Sequence, residues 1–303
     1  MHRRLWLGSA AGVAGLLLAA CGGDDLPDGL DGEVANDWGT FSEVVQFVPE
    51  AQVCHLDPYQ PTAPAAEYQP VACDQPHLVE TVYVGTLTDE AAELDAPPAP
   101  DSDEHREAYA ECEQQVEEYL GAGFREGRLW LGVALPAPAG WEGGARWFRC
   151  ELMEVESVYG DAVEREGSLA GALAEDSSLQ LGCYQVAVED GVVSELTPVS
   201  CEETHQAEFV GAWRAPNGGY PDPADGEAEE QVYDGCREQV AKYVDVPADE
   251  DLIYRTGTIA DWMSEQDWAA GDRAFRCYLW LPDTELTTSL ADAGTDALPI
   301  QTE

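Results

Sequence analysis

Two histidines sit in matching surroundings. His77 ends the run Pro70-Val71-Ala72-Cys73-Asp74-Gln75-Pro76-His77, and His205 ends Pro198-Val199-Ser200-Cys201-Glu202-Glu203-Thr204-His205. Each lies four residues past a cysteine and three before a glutamate, Glu80 or Glu208. An imidazole beside a carboxylate can move protons near neutral pH or hold a metal. A metal needs several convergent ligands, yet each pair has one local carboxylate, and the remaining histidines are only His2, His55 and His105. Hydrogen-bonded residues at a turn are the expected role; His77 and His205 stay as candidate binding residues, and no metal site is expected. Arg146, Arg149, Arg273 and Arg276 form a second set, spaced Arg-x-x-Arg before Cys150 and Cys277. They would either pair with acids or present a local anion site. Ion pairing is the expectation, with Arg146 and Arg273 as candidate binding residues, and Arg146-Trp147-Phe148-Arg149 reads as a strand edge with Phe148 inward.

Other chemistry finds no motif. There is no G-x-S-x-G elbow, no S-x-x-K (Lys242 is the only lysine), no Walker loop, no G-x-G-x-x-G and no H-E-x-x-H. Sixty acids make some carboxylate pair inevitable, so no pair points to glycoside hydrolysis. No catalytic residue and no cofactor is expected. Trp130, Trp141, Trp147, Trp262, Trp268 and Trp280 could form a sugar platform, but in a chain with six Phe they are expected to fill cores and loops.

The 303 residues carry 14 Lys+Arg against 60 Asp+Glu, a formal charge of −46, which excludes a phosphate-tracking nucleic-acid binder. The first residues explain where such a chain is headed. His2, Arg3 and Arg4 precede an apolar run from Leu5 to Ala20, then Cys21 and an acidic, Gly-rich stretch. This reads as a signal peptide. Leu18-Ala19-Ala20-Cys21 resembles the bacterial lipobox, which implies cleavage before Cys21 and its acylation, and so a membrane anchor of stable, multi-chain type. Export by the general or the twin-arginine route fits the same residues. Loss of residues 1–20 leaves a charge of −48.

With Cys21 assigned to lipid, eight cysteines remain in an exported chain, where disulfides persist and no zinc-type spacing competes. Cys54, Cys73, Cys112 and Cys150 are separated by 19, 39 and 38 residues; Cys183, Cys201, Cys236 and Cys277 by 18, 35 and 41. The neighbours repeat as well. Tyr109, Cys112, Val116, Tyr119 and Leu120 match Tyr233, Cys236, Val240, Tyr243 and Val244 at helical spacing. Trp141, Arg146, Phe148 and Arg149 match Trp268, Arg273, Phe275 and Arg276, and Ser168-Leu169-Ala170 is echoed by Ser289-Leu290-Ala291. The chain therefore holds two copies of one unit. The fold class expected is α+β, each copy a small antiparallel sheet with one amphipathic helix and two disulfides.

The elements that must position the candidates follow. A first strand spans 51–56 or 182–188, and a second spans 71–84 or 199–210 with a break near the Cys-to-His turn. The helix and a strand pair ending at Arg-Cys complete each copy. Glu189-Asp190-Gly191 signals a hairpin. The acidic loops 88–104 and 214–230 are expected to be mobile surface excursions. Each cysteine set allows three pairings; the preferred one is Cys54–Cys73, Cys112–Cys150, Cys183–Cys201 and Cys236–Cys277, which ties the two N-terminal strands together and the helix to the C-terminal strand. The segments expected are a signal peptide at 1–20, an acidic linker at 21–43, copies at 44–174 and 175–295, and a tail at 296–303.

A cysteine strand, then Val-x-Cys-[Asp/Glu]-x-x-His with a glutamate soon after, a cysteine-bearing helix and a Trp…Arg-x-Phe-Arg-Cys ending resemble the septum-formation domain of actinobacterial envelope proteins. The resemblance covers residues 50–174 and 180–294, though the second copy has Thr204 where Pro-His is commoner. It implies a lipid-anchored protein on the outer face of the cell membrane that binds an envelope or divisome protein or a cell-wall component without catalysing a reaction. A ligand- or cation-capturing lipoprotein and a wall-acting enzyme are the competing expectations.

Overall fold

Apolar residues alternate along five stretches of the first copy and close one sheet. In the computed structural model, which describes residues 46–157, 160–174 and 177–301, these are β1 (Val53–His55), β2 (Thr62–Ala63), β3 (Val79–Thr86), β4 (Leu129–Pro136) and β5 (Trp147–Glu154). Their order is β1-β3-β5-β4-β2, antiparallel except for the short β2, which runs parallel to β4. β5 is the central strand of this sheet, not an edge, because both of its neighbours carry the long apolar runs that a buried strand needs. The expected signal peptide at 1–20, the expected lipidation site Cys21 and the expected acidic linker at 21–43 lie outside the described residues. Among those described, no helix is long and apolar enough to cross a membrane.

One face of this sheet carries a helix. After the one-turn α1 (Asp89–Ala92), α2 (Asp103–Leu120) starts at Ser102, whose hydroxyl accepts from His105 N at 3.2 Å, and stops at Gly121, where φ is +86°. Ala108, Tyr109, Cys112, Val116 and Leu120 recur every three or four residues and are buried against Val82, Leu131, Val133, Phe148 and Leu152. Gly85 has no side chain because a Cβ there would lie 2.1 Å from the Phe148 ring. The short α3 (Pro138–Glu142) buries Trp141 at the end of the sheet.

The second copy repeats this plan. Its elements are β6 (Cys183–Glu189), β7 (Val192–Val199), β8 (Ala207–Arg214), α4 (Gly226–Val244), β9 (Gly257–Asp261), α5 (Glu265–Ala270), β10 (Ala274–Trp280) and a last short helix, α6 (Gly294–Ala297). The sheet order is β7-β6-β8-β10-β9, so β6, β8, β10 and β9 correspond to β1, β3, β5 and β4. The hairpin between β6 and β7 turns at Asp190 (φ +53°) and Gly191 (φ +82°), both left-handed as a type I′ turn demands. Disulfides join Cys54–Cys73, Cys112–Cys150, Cys183–Cys201 and Cys236–Cys277; none links the two copies. In each copy one bridge fastens the helix to an inner strand of its sheet, α2 to β5 and α4 to β10.

The two acidic loops are not free excursions. Trp141 Nε1 donates to the Leu94 carbonyl at 2.8 Å and Arg146 Nε to the Ala92 carbonyl at 2.7 Å, pinning the first loop. In the second, Tyr220 donates to the Met263 carbonyl at 3.0 Å and Ala215 is buried. The aromatic and apolar residues interspersed among the acids explain this, since their burial outweighs the freedom lost.

The copies pack on each other within one compact unit that begins at Gln46. Arg125 of the first copy lies buried between Glu113 on α2 (2.5 Å) and Asp272 of the second copy (2.5 Å). Arg276 on β10 donates to the carbonyls of Arg125 (3.0 Å), Gly127 (3.3 Å) and Leu129 (3.0 Å). His105 lies 3.0 Å from the Ala270 carbonyl through Nδ1, which must therefore carry the proton. The backbone of the linking segment joins in, with Leu181 N donating to Glu126 O and Arg128 N to Leu179 O.

Candidate functional site

The repeated histidines and glutamates do come together with other repeated residues, but inside the protein. Glu80 is 1% exposed and Glu208 fully buried, each on the strand after its turn and facing the helix. The Glu80 carboxylate accepts from Tyr119 Oη (2.5 Å), Ser168 Oγ (2.7 Å) and the Leu169 N–H (2.7 Å). Glu208 accepts from Tyr243 Oη (2.7 Å), Ser289 Oγ (3.0 Å) and the Leu290 N–H (3.0 Å). The Ser-Leu-Ala echo is thus the segment that each carboxylate clamps against its helix. Leu169 and Leu290 enter the two cores beside these bonds.

Each histidine secures the same segment from its backbone. His77 exchanges both main-chain hydrogen bonds with Arg165, and His205 with Leu286. Their rings are buried, with Nδ1 donating to the Gln75 or Glu203 carbonyl at 2.8 Å. The copies then diverge. His205 Nε2 lies 3.1 Å from Glu208 Oε1, a contact that needs a second proton on the ring or on the carboxyl, since Nδ1–H is already committed. His77 Nε2 has no partner among the described residues. Cysteine sulfurs approach both clusters, at Cys54-Cys73-Glu80 and Cys183-His205-Glu208, but they are oxidised in disulfides and supply no thiolate to a metal. Neither histidine lines a cleft among the described residues.

Arg146 and Arg273 also have repeated structural duties. Their guanidinium groups stack on Trp141 and Trp268, 3.9 and 4.1 Å from the ring centres, and donate to carbonyls at the ends of α3 and α5. Among the described residues neither pairs with a carboxylate, so the ion pairing expected of them is not what holds them there. Trp141, Trp147 and Trp268 are buried, and Trp130 and Trp262 are not.

Those two indoles wall a cleft of about 530 Å³ between the copies, a size typical of ligand sites. Trp130 and Met153 come from the first copy; Asp261, Trp262, Asp267 and Arg276 come from the second. Trp130 Nε1 donates to Asp267 Oδ1 at 3.3 Å across the boundary. Asp261 is buried, with its Oδ1 unpartnered among the described residues and Oδ2 3.8 Å from Arg276 Nη1. Burial pushes its pKa up to about 6 against the opposing pull of Arg276. With Asp161 and Asp272 also lining it, the cleft is acidic and aromatic, suited to a ligand rich in hydroxyls or positive charge.

Trp130, Trp262 and Arg276 stood out in the sequence by type but not as one site, because the cleft exists only where the two copies meet. The available signal was disagreement between aligned copies: Asp261 on β9 stands opposite Arg276, whereas its counterpart Ala134 on β4 stands opposite Arg149.

A family model described as Septum formation matches residues 53–277, one stretch that takes in both copies. No curated protein and no solved structure matches the chain.

Proposed function

Because the chain belongs to the septum-formation family, a group connected with cell division, we propose that it is a non-enzymatic lipoprotein held on the outer face of the bacterial membrane through Cys21 and that it binds a divisome or cell-wall partner. The cleft between the copies is the receiving surface, and its make-up carries the reading: aromatic walls and carboxylates drawn from both copies, placed by an interface of buried charges that holds them rigidly. The recurrent histidines and glutamates support a non-catalytic role, since their hydrogen-bonding atoms clamp the fold and no substrate reaches them. The cleft's excess of acids also favours a second reading, capture of a cation, which raises Tm on addition of Ca²⁺.

Fluorescent fusions of the parent chain, Cys21→Ser and Trp262→Ala test the proposal. The parent should concentrate at division sites, Cys21→Ser should leave the membrane, and Trp262→Ala should stay membrane-bound but spread evenly. Uniform membrane signal from the parent, or unchanged enrichment with Trp262→Ala, refutes it.

A further inference from the structure

The first sheet has a second polar cluster, on the face turned away from α2. His55 on β1, Thr81 on β3 and Glu151 and Arg149 on β5 meet there, and Thr81 and Glu151 are almost completely buried. Thr81 Oγ1 donates to the two Glu151 oxygens at 3.1 and 3.2 Å. A hydroxyl has one proton, so the 2.9 Å contact with His55 Nε2 must be a bond from the ring to Thr81. Arg149 Nε lies 2.7 Å from Glu151 Oε1 as an ion-pair contact without a directed hydrogen bond. Neither Nη nitrogen of Arg149 has a partner among the described residues, whereas every other arginine there donates at least one hydrogen bond. The Arg149 side chain is 10% exposed, and its guanidinium carbon sits 5.8 Å from the ring centres of both Tyr68 and Trp147. His55, Tyr68, Trp147, Arg149 and Glu151 line a cavity of about 80 Å³, and buried Trp147 Nε1 also lacks an acceptor among the described residues.

The second copy shows that the fold does not require this cluster. The positions of His55, Thr81 and Glu151 are occupied there by Tyr184, Phe209 and Tyr278: Tyr278 pairs with Phe209 as Glu151 pairs with Thr81, and Tyr184 follows Cys183 as His55 follows Cys54. The three rings pack edge to face, with centroids 5.5 and 5.6 Å from that of Tyr278. An apolar filling is at least as stable as a buried ion pair in such a place. Arg276, the counterpart of Arg149, uses its donors to hold the first copy. Retention of buried charge in the first copy, around an arginine with an unengaged end, marks a recognition site.

We infer that this cavity binds a carboxylate: the Nη1/Nη2 end of Arg149, flanked by Tyr68 and Trp147, receives the two oxygens, while Glu151 and Thr81 hold the guanidinium from its other side. The planar fork matches a carboxylate with two parallel N–H···O bonds. Size sets the rest of the ligand outside. At about 80 Å³ the cavity is well below the roughly 300–1,000 Å³ of pockets that enclose a whole ligand, so it takes in only the carboxylate end. The ligand is therefore the acidic end of a larger molecule, a peptide terminus or an acidic side chain, or a free small carboxylate. This site is separate from the cleft between the copies.

The test follows the ¹⁵N signals of the Arg149 side chain in the full chain with its disulfides intact. Acetate, N-acetylalanine (a terminal carboxylate), N-acetylaspartic acid α-amide (a side-chain carboxylate) and neutral N-acetylalaninamide are titrated separately. Carboxylates should shift the signals saturably with Kd on the order of 1 mM, and the neutral amide should bind at least about tenfold more weakly. The tightest of the three carboxylates identifies the source. Arg149→Gln should lose the affinity, read calorimetrically. The triple variant His55→Tyr, Thr81→Phe, Glu151→Tyr, which installs the residues of the second copy, should fold and not bind. Equal binding of the neutral amide, parent-like affinity in Arg149→Gln, or no saturable shift in the parent overturns the inference; if the triple variant does not fold, Arg149→Gln decides alone.

Discussion

Glu80→Gln removes a buried charge while keeping the shape of the side chain, and its effect can be worked out bond by bond. The carboxylate accepts from two hydroxyls on one oxygen and from the Leu169 N–H on the other. Hydrogen bonds to a charged group contribute about 1.5–3 kcal/mol and neutral ones about 0.5–1.5, so neutralising three costs about 3 kcal/mol. The amide nitrogen must also face either the hydroxyls or the Leu169 N–H, and the latter cannot turn away. Glu208→Gln meets a different neighbourhood. There the amide can donate to His205 Nε2, in its Nδ1–H form, while its oxygen keeps Tyr243, Ser289 and Leu290. Its cost should be about 1 kcal/mol. Urea unfolding at neutral pH reads both, with m unchanged, and the Tm of Glu80→Gln should fall by about 6–12 °C. If Glu208→Gln is as damaging as Glu80→Gln, or Glu80→Gln is within about 0.5 kcal/mol of the parent, the account of the clamps is wrong.

Arg125→Met leaves Glu113 and Asp272 buried without their shared cation and should cost about 3–5 kcal/mol, with faster proteolysis between the copies; a parent-like melting curve would show that this residue does not hold the interface. Losing the bridge Cys112–Cys150 to a double alanine substitution should cost about 4 kcal/mol, since 38 residues separate its ends, and losing Cys54–Cys73, with 19, about 3 kcal/mol; the opposite ranking by denaturant unfolding would count against a chain-entropy origin. Two groups give opposing pH dependence. Asp261, raised to about 6, keeps its proton in the native state, so its contribution to stability declines as pH rises from about 4 through 6, and Asp261→Asn should gain on the parent over that window by up to about 3 kcal/mol. His55, lowered to about 4 by burial and by the Arg149 charge, loses stability for the fold as pH drops from 6.5 through 4, so His55→Gln should gain on the parent in the opposite direction. Flat difference profiles for both variants would contradict these assignments.

What repeats in the sequence proved to be fold, and what differs lines the two candidate cavities. Cysteine spacing, the helical Tyr-Cys-Val-Tyr pattern and the Ser-Leu-Ala echo all belong to the common framework, and each was legible because it occurs twice. The partner of the echo was not: Glu80 and Ser168 are far apart in sequence, and the backbone pairing of His77 with Arg165 is what brings them within 2.7 Å. The strand break near the Cys-to-His turn and the Asp190-Gly191 hairpin followed from local backbone chemistry. The ordered loops did not, because acids and prolines signal exposure while single residues such as Trp141 and Tyr220 decide the docking. Arg125 has no charged counterpart; the equivalent turn, Leu252–Tyr254, carries Ile253. A residue used by one copy alone disappears when two copies are read as one pattern.

The same differences bear on whether the contact between the copies could be repeated at the outward faces of the pair. Arg276, on the outer face of the second sheet, docks on the carbonyls of residues 125–129 in the first copy, a head-to-tail contact. Contacts of that kind do not close by symmetry and can in principle continue into a filament of repeats. Continuation would need an outer face on the first copy that docks and an equivalent turn on the second copy that receives. The outer face of the first copy is covered by residues 57–69 around the Arg149 cavity, so Arg149 faces that cavity and not a neighbouring copy. At the other end, Gln301 N donates to the Tyr254 carbonyl and Arg255 to that of Leu298, so residues 298–301 lie where the linking segment lies in the first copy. No cation like Arg125 stands there to neutralise a pair of incoming acids. The outward faces of the pair therefore differ from the joined ones, and the first outer face keeps its buried polar groups around the Arg149 cavity.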